Sequence, residues 1–443
     1  MSTGRIRWLY DELPGLVRSG VLDAPAAESL RRHYGPVPET TARRMLVALF
    51  GVLGALLVGA GIVLLLGHNW DELSRTARAG LSFGLLLSAQ GLAGWAFWRR
   101  RDVLAWYEGA SVFLGMAIAA TIALIAQTYQ IGGDLESFLL TWTVLLLPVP
   151  YLLRSRAAAA LYWICVTWRL AGGSWYGPVD EQAGIYLLLV GLIAPFTVWL
   201  CLAHRDEVRT ALILWTASIC LVIAGFNVLP RITIGLWLPI SVGFFGSLYV
   251  LGLLRHHGDD LARVALWRRP LQAIGASGLA VILVVFSFAE VWREAAHEGG
   301  GEDRIIVFVT AGVVGLVLIA LSSLRGMTLW REGQRHRALL ALAPLLVTGA
   351  WAVGFYPGTS GWLMLVVNGF GLAVGLSAAY AGFRGGSLGT ANCGLLLVIT
   401  LVAARFFDED WSFVVRGVAF ILLGAAFLVT NLWMLKRRKE VHA

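Results

Sequence analysis

The amino-acid sequence predicts an all-α fold, a polytopic transmembrane helix bundle of about fourteen spans preceded by a short soluble helical hairpin. Three observations lead there. Hydrophobic residues make up 58% of the 443 positions and charged residues only 14%, too little polar surface to cover a water-soluble globule of this length. The apolar residues fall in successive runs of roughly 17 to 22, enough to cross a hydrocarbon core about 30 Å thick at about 1.5 Å per residue. Arginines gather in alternate gaps between those runs, as expected of cytoplasmic loops.

Taken in order, residues 1–44 precede the first apolar run and form the expected cytoplasmic hairpin. Ile6 to Ser19 places Trp8, Leu9, Leu13, Leu16 and Val17 at helical spacing, and Gly20 stops the helix. Asp23 ahead of Pro25 is the cap expected for a second helix ending near Tyr34. No signal peptide is expected, because this preface is polar and no small-residue cleavage site follows the first apolar run. Residues 45–434 form the bundle, with spans expected at Met45 to Leu66, Ala79 to Trp98, Ala110 to Thr128, Ser137 to Leu153, Ala157 to Leu170, Gly184 to Leu202 and Ala211 to Leu229. The second seven run Trp237 to Leu254, Leu271 to Trp292, Ile305 to Leu324, Arg337 to Gly354, Trp362 to Tyr380, Leu388 to Ala403 and Phe413 to Met434. The fifth is short and carries Arg169 at its end, which suits a re-entrant or tilted segment as well as a span. Residues 435–443 are a basic cytoplasmic tail holding the only two lysines, Lys436 and Lys439.

With the N-terminus inside, 27 arginines and lysines fall on cytoplasmic segments and 8 on the opposite side. The bias alternates loop by loop, so it supports an even span count with both termini cytoplasmic. No internal repeat is apparent.

Several function classes are excluded on composition. Without an internal lysine there is no Schiff-base chemistry, and no GxxxxGK[ST], GxSxG or HExxH motif occurs. A net charge of +8 reads as an orientation signal, not as a nucleic-acid footprint. Cys165, Cys201, Cys220 and Cys393 sit in or at the ends of apolar runs without CxxC spacing, as small core residues do. No metal or other cofactor is expected, since only His68 and His297 fall on the outer side.

Two local patterns stand out. Gly51, Ala55 and Gly59, and again Gly371 and Gly375, recur every four residues, which lets helix backbones approach closely. Polar side chains also collect where spans meet the outer face: His68, Asn69 and Asp71 after the first, and Gln127, Gln130 and Asp134 after the third. Glu290, Arg405 and Asp408 are secondary candidates at the ends of the ninth and thirteenth. Polar groups at membrane depth mark ligand pathways, whereas a solvated rim with Trp70, Tyr129 and Trp411 as interfacial aromatics is the plain alternative. Deeper polar residues are few: Gln90, Asn368, Asn392 and Asn431 each need only one interhelical hydrogen bond.

The run Gly51 to Asp71, ending Gly-His-Asn-Trp-Asp, and the later Ala126-Gln127-Thr128-Tyr129-Gln130 resemble a bacterial family of predicted multi-pass membrane proteins catalogued only as a domain of unknown function. The resemblance covers chiefly residues 1 to about 155, with a less specific likeness in Arg405 to Lys439. It implies a bacterial inner-membrane location and carries no assigned activity.

The leading expectation is a transporter or flippase-like protein with an outward-facing polar vestibule, in which His68, Asn69, Asp71, Gln127, Gln130 and Asp134 orient a small polar or lipid-linked ligand. A non-transporting scaffold or sensor that recruits a cytoplasmic protein through the hairpin is the second reading. The third is an intramembrane enzyme acting on a lipid-linked substrate. The lipid bilayer is the one partner common to all three, and none involves nucleic acid.

Overall fold

The computed structural model describes residues 3–34, 73–101, 103–172, 179–203, 208–232, 237–255, 266–288, 290–292, 305–354, 356, 359–385 and 387–408, with isolated positions between 414 and 428. Fifteen α-helices and no strand occur among the described residues. The chain forms two compact units, Met1–Ser82 and Phe83–Ala443.

In the first unit, α1 (Thr3–Arg18) and α2 (Ala24–Tyr34) make the hairpin. Gly20 has φ +71°, and the N–H groups of Val21 and Leu22 return to the Leu16 carbonyl, so the chain turns where the glycine permits it. Leu13 is buried and the Tyr10 hydroxyl donates to the Arg31 carbonyl at 3.1 Å, which ties the two helices together. The first expected span, with Gly51, Ala55 and Gly59, lies outside the described residues, as does most of the fourteenth.

The spans expected second to thirteenth all coincide with helices: α3 (Arg75–Arg99), α4 (Leu104–Tyr129), α5 (Leu135–Leu146) with α6 (Pro148–Leu153), α7 (Arg156–Gly172), α8 (Val179–Ala203) and α9 (Val208–Ile232). They continue as α10 (Trp237–Arg255), α11 (Pro270–Val285), α12 (Ile305–Arg331), α13 (Arg335–Gly354), α14 (Ser360–Arg384) and α15 (Leu388–Asp408). Nine helical stretches among the described residues are long and apolar enough to cross a membrane. The protein is a multi-pass membrane protein.

Two expected spans differ in detail. The fourth is divided at Pro148, whose ring nitrogen cannot donate to the helix ladder. The ninth stops early, at Val285 rather than Trp292. Freed carbonyls at that depth need donors, and two side chains supply them. Trp292 Nε1 donates to the Phe286 carbonyl at 2.8 Å, and Asn368 Nδ2 on α14 donates to the Ser287 carbonyl at 3.1 Å.

The second unit has two main hydrophobic cores. In the first, α7 is the centre, packed by α4, α5, α6, α8 and α9. Ala158, Ala159, Tyr162, Trp163, Cys165, Val166 and Leu170 are all buried there. Donors tie its neighbours together: Trp142 Nε1 to the Gly115 carbonyl at 2.9 Å, Tyr162 hydroxyl to the Leu189 carbonyl at 3.0 Å, and Trp163 Nε1 to Thr197 Oγ1 at 3.3 Å. The short fifth segment is therefore not peripheral. Its 17 residues form a continuous helix, with nine of them buried.

The second core is organised on α10, which packs on α11, α12 and α13. Here close approach of backbones works beside two serine ties, Ser247 Oγ donating to the Leu318 carbonyl at 3.2 Å and Ser322 Oγ to the Ala341 carbonyl at 2.7 Å. A Cβ at Gly275 would run into the Tyr249 and Phe245 backbone, and one at Gly252 would meet the backbone of Gln272 at 2.7 Å. The expected contact at Gly371 and Gly375 is present between α14 and α15. A Cβ there would come within 2.8 Å of Leu401 and 2.7 Å of Val398.

Candidate functional site

Of the six principal candidates, Gln127 lies in the last turn of α4, and Gln130 and Asp134 in the connection from α4 to α5. The helix ends in a left-handed residue, Gln130 at φ 52° and ψ 42°, and the Ile131 N–H closes the turn on the Ala126 carbonyl at 2.9 Å. Gly132 and Gly133 follow in open space. Asp134 then starts α5 as its N-cap: its carboxylate accepts the Ser137 N–H at 2.9 Å. Those hydrogen bonds hold the Asp134 carboxyl below the usual carboxylate range, with the charge of Arg169 adding to the effect. All three side chains are exposed.

Two residues that sequence reasoning did not single out stand beside them. Glu136, in the first turn of α5, binds Arg169 Nη2 at 2.6 Å. Arg169 is only 5% exposed, near the C-terminal end of α7, and its Nε finds no hydrogen-bond partner among the described residues. A guanidinium this deep needs its carboxylate, because an uncompensated buried charge is far costlier than an exposed one. The end of α7 and the start of α5 are thus joined by a charged pair that adjoins the polar turn. In the sequence Arg169 stands out only as the charge that ends the short fifth segment, and nothing in the local pattern pairs it with Glu136.

The other end of α7 is held the same way. Glu108 on α4 accepts from Ser155 Oγ at 2.5 Å and from the Ala157 N–H at 3.0 Å, a carboxylate seated on a helix N-terminus. Ser155 is itself the cap, accepting the Ala158 N–H at 3.2 Å.

His68, Asn69 and Asp71 lie outside the described residues. Glu290 follows α11, and Arg405 and Asp408 belong to the last turn of α15, so none of these secondary candidates lies on a helix of the first core. No group of three or more His, Cys, Asp or Glu side chains suited to a metal ion occurs among the described residues. The polar turn together with the Glu136–Arg169 pair offers hydrogen-bond donors, acceptors and one buried positive charge. It offers no nucleophile paired with a base.

Comparison with known families adds one match. Residues 14–159 fit the family model described as predicted membrane protein (DUF2157), a domain of unknown function. This DUF2157 segment spans the hairpin's second half through the start of α7. It includes both stretches on which the family resemblance rests, Gly51 to Asp71 and Ala126 to Gln130. It also includes Glu108 and Glu136, but not Arg169. No curated protein and no solved structure matches the chain.

Proposed function

We propose that this membrane protein is a transporter or flippase-like protein of the bacterial inner membrane, with both termini cytoplasmic and a polar ligand site at the outer end of the first core. The observation that carries the reading is the buried Arg169–Glu136 pair beside the exposed Gln127–Asp134 turn. Charge at membrane depth is retained where it serves a ligand or pathway, and this pair adjoins the amides and the carboxylate suited to orienting a polar or lipid-linked molecule. In this arrangement residues 1–44 form the cytoplasmic hairpin, 45–434 the bundle and 435–443 the basic tail. His68, Asn69 and Asp71, which follow the first expected span in the sequence, are the further candidates for binding such a ligand.

The test is metabolite and lipid profiling of a deletion strain complemented with the wild-type chain or with a His68→Ala, Gln127→Ala, Asp134→Ala triple variant. Accumulation of a polar or lipid-linked compound that the wild type clears and the variant does not is the expected result. Full complementation by the variant overturns the site. Orientation is checked separately: a reporter active only outside the cytoplasm works when fused at Gly300 and fails at His257.

A further inference from the structure

The end of the second core opposite the expected outer face carries a concentration of arginine that the transport reading leaves unused. Among the described residues, Arg255, Arg268 and Arg269 at the end of α10 and the start of α11, and Arg325, Arg331, Arg335 and Arg337 where α12 gives way to α13, gather there beside one carboxylate, Glu332. Charge bias alone accounts for arginines in solvated loops. It does not account for burying one of them.

Arg269 is 8% exposed. It is the N-cap of α11 and caps nothing with its side chain, so a cation sits at the positive end of a helix dipole. The first turn of α11 abuts the last turn of α10, where Gly252 faces the Gln272 backbone, and α13 packs on both helices. Arg337 stands in the first turn of α13, another helix N-terminus, with its Nη1 donating to Gln334 Oε1 at 2.6 Å. Desolvation first and the positive charge of Arg337 second both work against the protonated form of Arg269. Two guanidiniums and two helix N-termini therefore converge in a partly dehydrated corner, and each of the four favours an anion. Trp267 lies next to this corner, half exposed, with its carbonyl accepting from Trp215 Nε1 at 2.7 Å. It is an aromatic of the kind that settles at the headgroup level.

We propose that Arg269 and Arg337, with the first turns of α11 and α13, form a binding site for a phosphate group, carried by an anionic phospholipid headgroup or supplied as a free phosphate. A basic pocket between helices at the membrane surface is the setting in which lipid phosphates are held. The site is independent of the outer polar turn, so either can fail without the other.

The experiment measures thermal unfolding of the full-length protein in detergent with added phosphatidylglycerol, phosphatidylcholine or inorganic phosphate. Wild type is compared with Arg269→Gln, Arg337→Gln and, as a control at a separate position, Arg384→Gln. The expected result is a rise in Tm of several degrees with phosphatidylglycerol over phosphatidylcholine, lost in Arg269→Gln and Arg337→Gln and kept in Arg384→Gln. The same pattern with inorganic phosphate alone assigns the site to the free anion. Native mass spectrometry of the lipid retained after purification gives a second readout for any variant too unstable to melt cleanly, with fewer bound phosphatidylglycerol molecules expected in both site variants. No gain from either phosphate source, or equal gains and retention in all four proteins, overturns the site.

Discussion

The two cores of the second unit solve the same packing problem with different emphasis. Around α7, helices are held by polar ties: a buried guanidinium–carboxylate pair at one end, a carboxylate on a helix N-terminus at the other, and indole and phenol donors between them. Around α10, helices meet chiefly where side chains are missing, with Gly252 and Gly275 letting backbones approach and a few hydroxyl and amide donors adding to the fit. Between helices in lipid there is little hydrophobic drive to associate, so van der Waals fit or hydrogen bonding must supply it. The first core depends on a few strong directional contacts and the second on shape. The first should therefore fail through loss of charge and the second through gain of volume.

The largest effect is expected at the buried ion pair. Glu136→Gln leaves Arg169 enclosed without a counter-charge and is expected to cost about 3 kcal/mol of stability, whereas replacing both residues with Arg169→Met and Glu136→Leu is expected to cost far less. Chemical or thermal unfolding of the purified variants measures this. Equal losses in the single and double variants would show that the pair contributes shape rather than charge.

An intermediate effect is expected from volume. Gly275→Ala places a methyl group against the Tyr249 backbone, which cannot rotate away, at a cost of about 1–3 kcal/mol. On the exposed face of α8, by contrast, Gly191 has nothing within 4 Å of its would-be Cβ. Gly191→Ala is expected to be neutral or to stabilise by up to about 1 kcal/mol, since alanine is the better helix former. Matching losses at the two positions would erase the proposed contrast.

The smallest effect concerns Asp134. Its carboxyl pKa is lowered in the folded protein, so its contribution is present above the unfolded value and lost as pH falls through the folded one. Asp134→Asn keeps a capping oxygen but no charge. The stability difference between wild type and variant is expected to shrink as pH is lowered from about 5 to about 3, around the ordinary carboxylate pKa. Melting temperatures across that interval measure it, and a difference independent of pH would mean that the cap works without its charge.

Much of this fold was legible because its signals are local. Gly20, Asp23 and the apolar spacing of α1 placed the hairpin, and apolar runs placed α3 to α15. The Gly371–Gly375 contact was legible for the same reason, being a four-residue period within one helix. What escaped is non-local. Glu136 and Arg169 are 33 residues apart, Glu108 and Ser155 are 47, and neither pairing leaves a pattern along the chain. Gly252 and Gly275 follow no regular spacing because each answers a different neighbour. The early end of α11 was hidden too, since an apolar run does not reveal that Trp292 and Asn368 stand ready to donate to its free carbonyls. At the candidate site, the sequence located the Gln127–Asp134 turn but not the charged pair next to it.

The two acidic clamps on α7 also bear on how the protein is made. Both clamping residues, Glu108 and Glu136, precede α7 in the chain, so they leave the ribosome before the helix they hold. On its own, α7 is a poor candidate for insertion, being short and carrying an arginine in its last turn. It enters a membrane where its counter-charges are already in place. This order of synthesis makes the preceding helices an intramolecular assembly aid, and predicts that α7 inserts efficiently behind residues 104–153 but poorly in isolation. A glycosylation-based insertion assay showing equal efficiency in the two contexts would refute that dependence.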